Sequence, residues 1–221
     1  MAPSDMFPAH LRNAARQTQE QEKAEEVKAS LDSSRPKGLP KLTPIELRQL
    51  RNGERVQRQT RRGGNGSGLV VVDVRADTDT VTGALLDYSR YAEMIGTVRE
   101  ARLLEVQEHT TKAEFCLSRF RLRLRVVLSN GTLDNNIVTF QLDPDCTKVG
   151  KGLFKQASGY WFVEALDERP GYSRVWMKAD VETGPLLPPF IVDYAAARAL
   201  PRASTWLKPQ CEGRQRRKSI S

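Results

Sequence analysis

The residues able to do chemistry are few, and their spacing does not favour it. His10 lies in a polar stretch and His109 in Glu108-His-Thr-Thr, neither with a cysteine or carboxylate at ligand spacing, so no metal site is expected. Cys116, Cys146 and Cys211 are odd in number, far apart and without a C-x-x-C pair. They read as plain thiols in a reducing compartment. No G-x-S-x-G and no H-E-x-x-H occurs, and Gly63-Gly64-Asn65-Gly66-Ser67-Gly68 runs into a strand pattern, the wrong context for a phosphate-cradling loop. Two candidates for acid–base work remain. Asp87 and Tyr88 sit at a helix junction, where the carboxylate is expected to cap the next helix. Arg119, Arg121, Arg123 and Arg125 would reach an anionic substrate, although alternating arginines are more often a solvated sheet face.

Those arginines alternate with Phe120, Leu122, Leu124, Val126 and Leu128. Side chains on a strand point to opposite faces in turn, so the stretch spells a β-strand with one apolar and one cationic face. It belongs in an antiparallel sheet that is covered on one side. Other elements follow from pattern. Residues 69–75 form a β-branched strand, and Asp77-Thr78-Asp79 supplies caps for a helix carrying Val81, Ala84, Leu85 and Tyr88. Ser89 begins a second short helix with Tyr91, Ala92, Met94 and Ile95. Strands are expected at 98–106, 111–117, 120–128, 135–142, 158–166 and 173–181, with 149–154 as a loop or edge strand. Ser129-Asn130-Gly131, Asp143-Pro144-Asp145 and Arg169-Pro170-Gly171 are turn-like links. Pro188-Pro189 opens a long helix to about Lys208, apolar along Val192, Ala196, Ala199, Ala203 and Trp206, widened by Phe190 and Tyr194, and kinked by Pro201. The expected fold is α+β: a curved antiparallel sheet of about seven strands wrapped around a long C-terminal helix, with two short helices after the first strand. Space between such a sheet and its helix suits an apolar ligand.

The net charge of +8 divides unevenly. Residues 1–67 carry +5 and residues 211–221 carry +3, while 68–210 nets zero. The basicity belongs to the ends, and a nucleic-acid partner is not expected. Residues 1–41 read as an unfolded polar tail, and 42–67 as a short helix, basic strand and glycine-rich connector. Residues 68–210 read as the ligand-binding domain, and 211–221 as a basic tail. Thr43-Pro44-Ile45-Glu46 is a capping-box helix start, and Gly53 is placed to end that helix. Arg48, Arg51, Arg55, Arg58, Arg61 and Arg62 are solvated charges or a peripheral contact with an anionic membrane. No run of 18 apolar residues or secretory h-region is seen; for an organelle transit peptide Arg12 and Arg16 fit whereas Glu20, Glu22, Glu25 and Glu26 do not, which leaves targeting open.

Several motifs are similar to one family. Asp87-Tyr88-Ser-Arg-Tyr91, after a strand and Val81-x-x-x-Leu85-Leu86, resembles a segment of the START-like proteins, which include polyketide cyclases/dehydrases and coenzyme Q-binding proteins. Gly159-Tyr-Trp161-Phe-Val-Glu164 resembles their G-x-W-x-x-E strand. Gly184-Pro-Leu-Leu-Pro-Pro-Phe190, before a helix with Leu200-Pro201, also matches. Leu42-Thr-Pro-x-Glu-Leu and the glycine-rich connector resemble the form found in cyanobacteria and plastids. Gly83, and Met94-Ile95-Gly96, depart from the family's bulkier pattern, so ligand identity is not carried over. The resemblance implies a helix-grip fold with a hydrophobic tunnel for lipids, isoprenoid quinones or polyketides. It also implies a plastid location, with cytoplasm or mitochondrion as the other settings. The expected lining is Leu85, Tyr88, Met94, Phe115, Leu117, Phe120, Leu122, Leu124, Val126, Phe140, Trp161, Val163, Val175, Met177, Phe190 and Tyr194. These are almost all apolar, which favours holding a hydrophobic small molecule over reacting with it, with no catalytic residue, metal or cofactor. The alternatives are a polyketide cyclase/dehydratase-type enzyme and a scaffold whose core is filled.

Overall fold

In the computed structural model the described residues are 35–36, 38–62, 64–117, 122–129, 136–143, 154–184 and 205–218. The chain divides into two units, Met1–Pro40 and Lys41–Ser221, and the second holds all the described helices and strands. These begin with α1 (Pro44–Arg51), β1 (Val56–Arg62), β2 (Asn65–Val74), α2 (Thr78–Leu86), a 3-10 turn (Tyr88–Arg90) and α3 (Tyr91–Met94). They continue with β3 (Val98–Val106), β4 (Thr110–Leu117), β5 (Leu122–Ser129), β6 (Ile137–Leu142), β7 (Phe154–Ala165), β8 (Ser173–Thr183) and α4 (Leu207–Lys218).

Local chemistry sets the helix ends. Thr43 caps α1, with Thr43 N donating to Glu46 Oε2 at 2.7 Å and Glu46 N donating to Thr43 Oγ1 at 3.3 Å. Gly53, at φ 81°, closes the helix by donating its N–H to Leu50 O at 2.9 Å. Asp77 Oδ1 accepts from Thr80 N at 2.6 Å to start α2. Gly171, at φ 80°, takes the left-handed position in the β7–β8 turn.

The eight strands form one antiparallel sheet in the order β1-β2-β8-β7-β6-β5-β4-β3. The strand beyond the expected seven is β1. Its Val-Gln-Arg-Gln-Thr-Arg-Arg sequence lacks apolar alternation, because only its first residue is buried. It pairs antiparallel with β2 from Val56↔Val71 to Arg62↔Asn65, and Gly66 and Gly68 are strand residues. Of the stretch expected as a basic strand followed by a glycine-rich connector or hairpin tip, residues 56–62 and 65–67 pair with each other within the sheet. β7 begins at Phe154, which makes 154 part of a strand.

Register sorts the sheet into two faces. Val72, Val175 and Val163 lie opposite one another across β2, β8 and β7, and Val70, Met177, Trp161 and Val138 form the next row. With α2, α3 and α4 these rows, Val70 aside, make the main core. The other face carries Val56, Val71, Trp176 and Phe162 in one row, buried along with Leu50 of α1. Charged side chains share that second face. Glu114 lies opposite Arg125, bonded at 3.0 Å, and Asp73 takes both Nε and Nη2 of Arg174, at 2.8 and 3.1 Å. Glu164 accepts from Trp176 Nε1 at 2.8 Å. Strand alternation keeps all of this away from the main core.

Gly159 is fixed by close approach. It lies opposite Phe140, and an added Cβ would come within 2.5 Å of the Phe140 ring and also meet Lys178 O. Gly159→Ala is expected to lower stability by about 1–3 kcal/mol through overpacking, measured by urea unfolding. A second outcome concerns acid. The Arg58 guanidinium, bidentate to Glu46 at 2.9 and 2.6 Å, is the first cause that holds the Glu46 carboxyl at about 2. A carboxyl depressed below its ordinary 4.5 adds stability above that value and loses it as pH falls toward 2. Glu46→Gln should flatten the acid limb of a pH–stability curve in that window and leave the shape of the curve near neutral pH unchanged.

Candidate functional site

The main core is closed by the junction between α2 and α3. Asp87-Tyr88-Ser89-Arg90 leaves α2, makes one 3-10 turn and re-enters a helix at Tyr91. This places two tyrosine rings over the sheet. Tyr91 touches Tyr88 edge-on at 5.6 Å, stacks on Phe115 at 5.4 Å and meets Trp206 at 5.6 Å. Its hydroxyl donates to Leu85 O at 2.5 Å. Carbonyls in the last turn of a helix have no intrahelical partner, so this bond satisfies one of them. Burial pushes both phenols well above their ordinary range, with the Tyr88 and Asp87 charges adding to the shift at Tyr91.

Asp87 does not cap the following helix, contrary to the expectation from its position at the junction. No side-chain capping bond is made there. Its Oδ2 instead accepts from Arg214 Nη2 at 2.7 Å, with Arg90 Nη1 at 3.5 Å. The reason lies in α4, which carries Arg214 to the junction. The charge pattern predicts a tail over 211–221, but the chain is helical through Lys218. Leu207 and Cys211 are fully buried in the core one helical turn apart. Trp206 lies beside them, as the apolar side expected of the C-terminal helix requires. Burial pushes the Cys211 thiol up to about 12, which removes it as a thiolate nucleophile.

Of the expected lining, Leu85, Tyr88, Met94, Phe115, Trp161, Val163 and Val175 are buried in this one cluster, with Val126, Phe140 and Met177 packed against it. Leu122 and Leu124 pair with Leu117 and Phe115 in the β4–β5 ladder. The side chains of Leu117, Leu122 and Leu124 lie outside the described set, as do Phe120, Phe190 and Tyr194 and the expected helix from 188 to 204. Tyr91, Trp206, Leu207 and Cys211 belong to the cluster without having been expected in the lining. The spacing of Leu207, Cys211 and Arg214 at i, i+4 and i+7 is the signal that points to the last helix. Among the described residues the cluster holds no carboxylate or histidine. Thr82, buried on α2, has a hydroxyl with no hydrogen-bond partner. A polar depression of about 180 Å³ beside Glu105, Gln107, Thr110, Lys112 and Val127 touches none of the expected lining positions. Among the described residues no cluster of ligands suits a metal, and no helix is long and apolar enough to cross a membrane.

Compared with solved structures, the chain matches a START superfamily protein from Mycobacterium smegmatis at 15% identity and a TM-score of 0.53, covering 66% of this chain and 97% of that one. It matches the Zhui aromatase/cyclase from Streptomyces sp. R1128 at 14% and 0.55, covering 72% and 96%. It also matches a STAR-related lipid transfer protein from Xanthomonas axonopodis at 13% and 0.55, covering 71% and 98%. The chain has the START-type helix-grip fold. No family model matches the sequence, and neither does any curated protein. In this helix-grip chain the Asp87–Arg214 bond ties the gripped helix to the α2–α3 junction. Both partners are about one-quarter exposed, so Arg214→Ala should cost about 1 kcal/mol or less. The loss should concentrate in faster amide exchange over residues 207–218, with β7 and β8 unchanged.

Proposed function

We propose that this chain binds a hydrophobic small molecule between its sheet and its C-terminal helix and does not transform it. The observation that carries the reading is the composition of the described core face. Leu85, Phe115, Trp161, Val163, Val175 and Met177 converge there, while the buried charges occupy the opposite face of the sheet. Apolar walls with one or two polar atoms suit a lipid or isoprenoid quinone. Thr82 Oγ1, without a partner, is the described group best suited to meet a single ligand oxygen. The phenols of Tyr88 and Tyr91 and the Cys211 thiol are all driven toward their neutral forms, which makes them poor bases and nucleophiles. The neighbours named as a lipid transfer protein and an aromatase/cyclase support binding and cyclisation respectively. The apolar core face favours binding.

The same reading includes a resting place for the protein. Exposed Arg48, Arg51 and Arg55 lie on α1 and the start of the hairpin, and Lys208 of α4 reaches Gly53 O at 3.2 Å. Ile45 projects from the same helix at 70% exposure. This patch suits peripheral contact with anionic headgroups. A plastid setting rests on the resemblance of the segment from Leu42 to the form found in cyanobacteria and plastids.

Native mass spectrometry of the protein purified from its own cells is expected to show a carried hydrophobic molecule that Val163→Asp or Trp161→Asp abolishes. A folded wild-type protein that carries nothing and takes up neither a fluorescent fatty acid nor a quinone analogue would overturn the reading in favour of a filled core.

A further inference from the structure

β3 borders the sheet and pairs only with β4 among the described strands. Sheet borders are normally protected from pairing, because their free backbone groups recruit other strands. This one carries Leu103, Leu104 and Val106 at 43, 46 and 64% exposure, three of the four described large apolar residues that face solvent. Charge flanks them in an ordered way. The β3–β4 register runs Arg102↔Glu114, Leu103↔Ala113, Glu105↔Lys112 and Val106↔Thr111, with a shift between Leu103 and Glu105. Leu104 is thus the extra residue of a bulge. As a result Arg102 and Glu105 share the charged face of the sheet, while Ala101, Leu103 and Val106 share the other.

We propose that β3 pairs with β3 of a second copy of this chain, antiparallel, about a two-fold axis normal to the sheet at Leu103. Such an axis keeps each face continuous across the join, and the contact is isologous. Leu103 then meets its own counterpart, Ala101 meets Val106, and Arg102 of each copy meets Glu105 of the other. The register that joins the apolar residues therefore also pairs both charges, and that complementarity selects a second copy as the occupant. In the single chain Arg102 lies 3.5 Å from Glu100, and Glu105 accepts from Gln107 Nε2 at 2.5 Å. Both contacts are exposed and lie within or next to the strand, so they exchange readily. An anionic lipid surface fits less well, because Glu100, Glu105 and Glu108 line the same border.

Analytical ultracentrifugation of the full chain across a wide concentration range is expected to show a monomer–dimer equilibrium. Arg102→Glu alone and Glu105→Arg alone should each weaken it by about tenfold or more, since like charges then face each other twice. Mixing the two variants should restore dimers, because every facing pair is again opposite in sign. These positions are exposed, and unchanged circular dichroism checks that each variant folds. A wild type that stays monomeric, a dimer insensitive to both reversals, or a mixture that fails to recover would each overturn the proposal. Monomers that float with lipid vesicles and lose that binding in Leu104→Asp would overturn it in favour of a membrane.

Discussion

The structure depends on the period-two alternation of its strands. Each buried row of one face is backed by a row of the other, so a single sheet separates two incompatible environments. Phe115 and Glu114 are neighbours in sequence and both are buried. The aromatic ring faces the tyrosine cluster, while the carboxylate bonds Arg125 on the far side. A buried carboxylate without a partner is costly. Placing Asp73, Glu114 and Asp143 beside Arg174, Arg125 and Lys112 meets that demand without introducing charge on the face that packs against α2, α3 and α4.

Closure of the apolar face falls to a short junction. The 3-10 turn after α2 would leave helix-end carbonyls unsatisfied, and the Tyr91 hydroxyl answers one of them from inside the core. The same turn presents Asp87 outward, where Arg214 ties down the last helix. One four-residue junction thus organises the aromatic cluster and anchors the element it packs against. The first contribution is mainly burial, and the second is a partly solvated ion pair of modest strength.

The chemistry follows from that division. An interior lined by valines, aromatics and methionine disfavours ionisation, which holds the buried tyrosines and Cys211 in their neutral forms. The basic patch on α1 and the β3 border lie outside it.

Much of the architecture is legible in the sequence because it is local. Alternation over 122–128, the Thr43 and Asp77 caps, and the turns at Gly53 and Gly171 are each set by residues within a few positions of one another. The buried positions Phe115, Trp161, Val163 and Val175 on these strands follow from the same alternation. Three features are not legible. β1 is read as a basic strand, but its place in the sheet is not, because it is an exposed edge without apolar alternation whose partner, β2, supplies the pairing. The helix to Lys218 is highly charged, and the helical spacing of Leu207 and Cys211 is too weak a signal to separate it from a tail without their packing in the core. The role of Asp87 depends on Arg214, 127 positions away. Local propensity specified the strands and their faces; long-range contacts decided which charged segments the fold would hold in place.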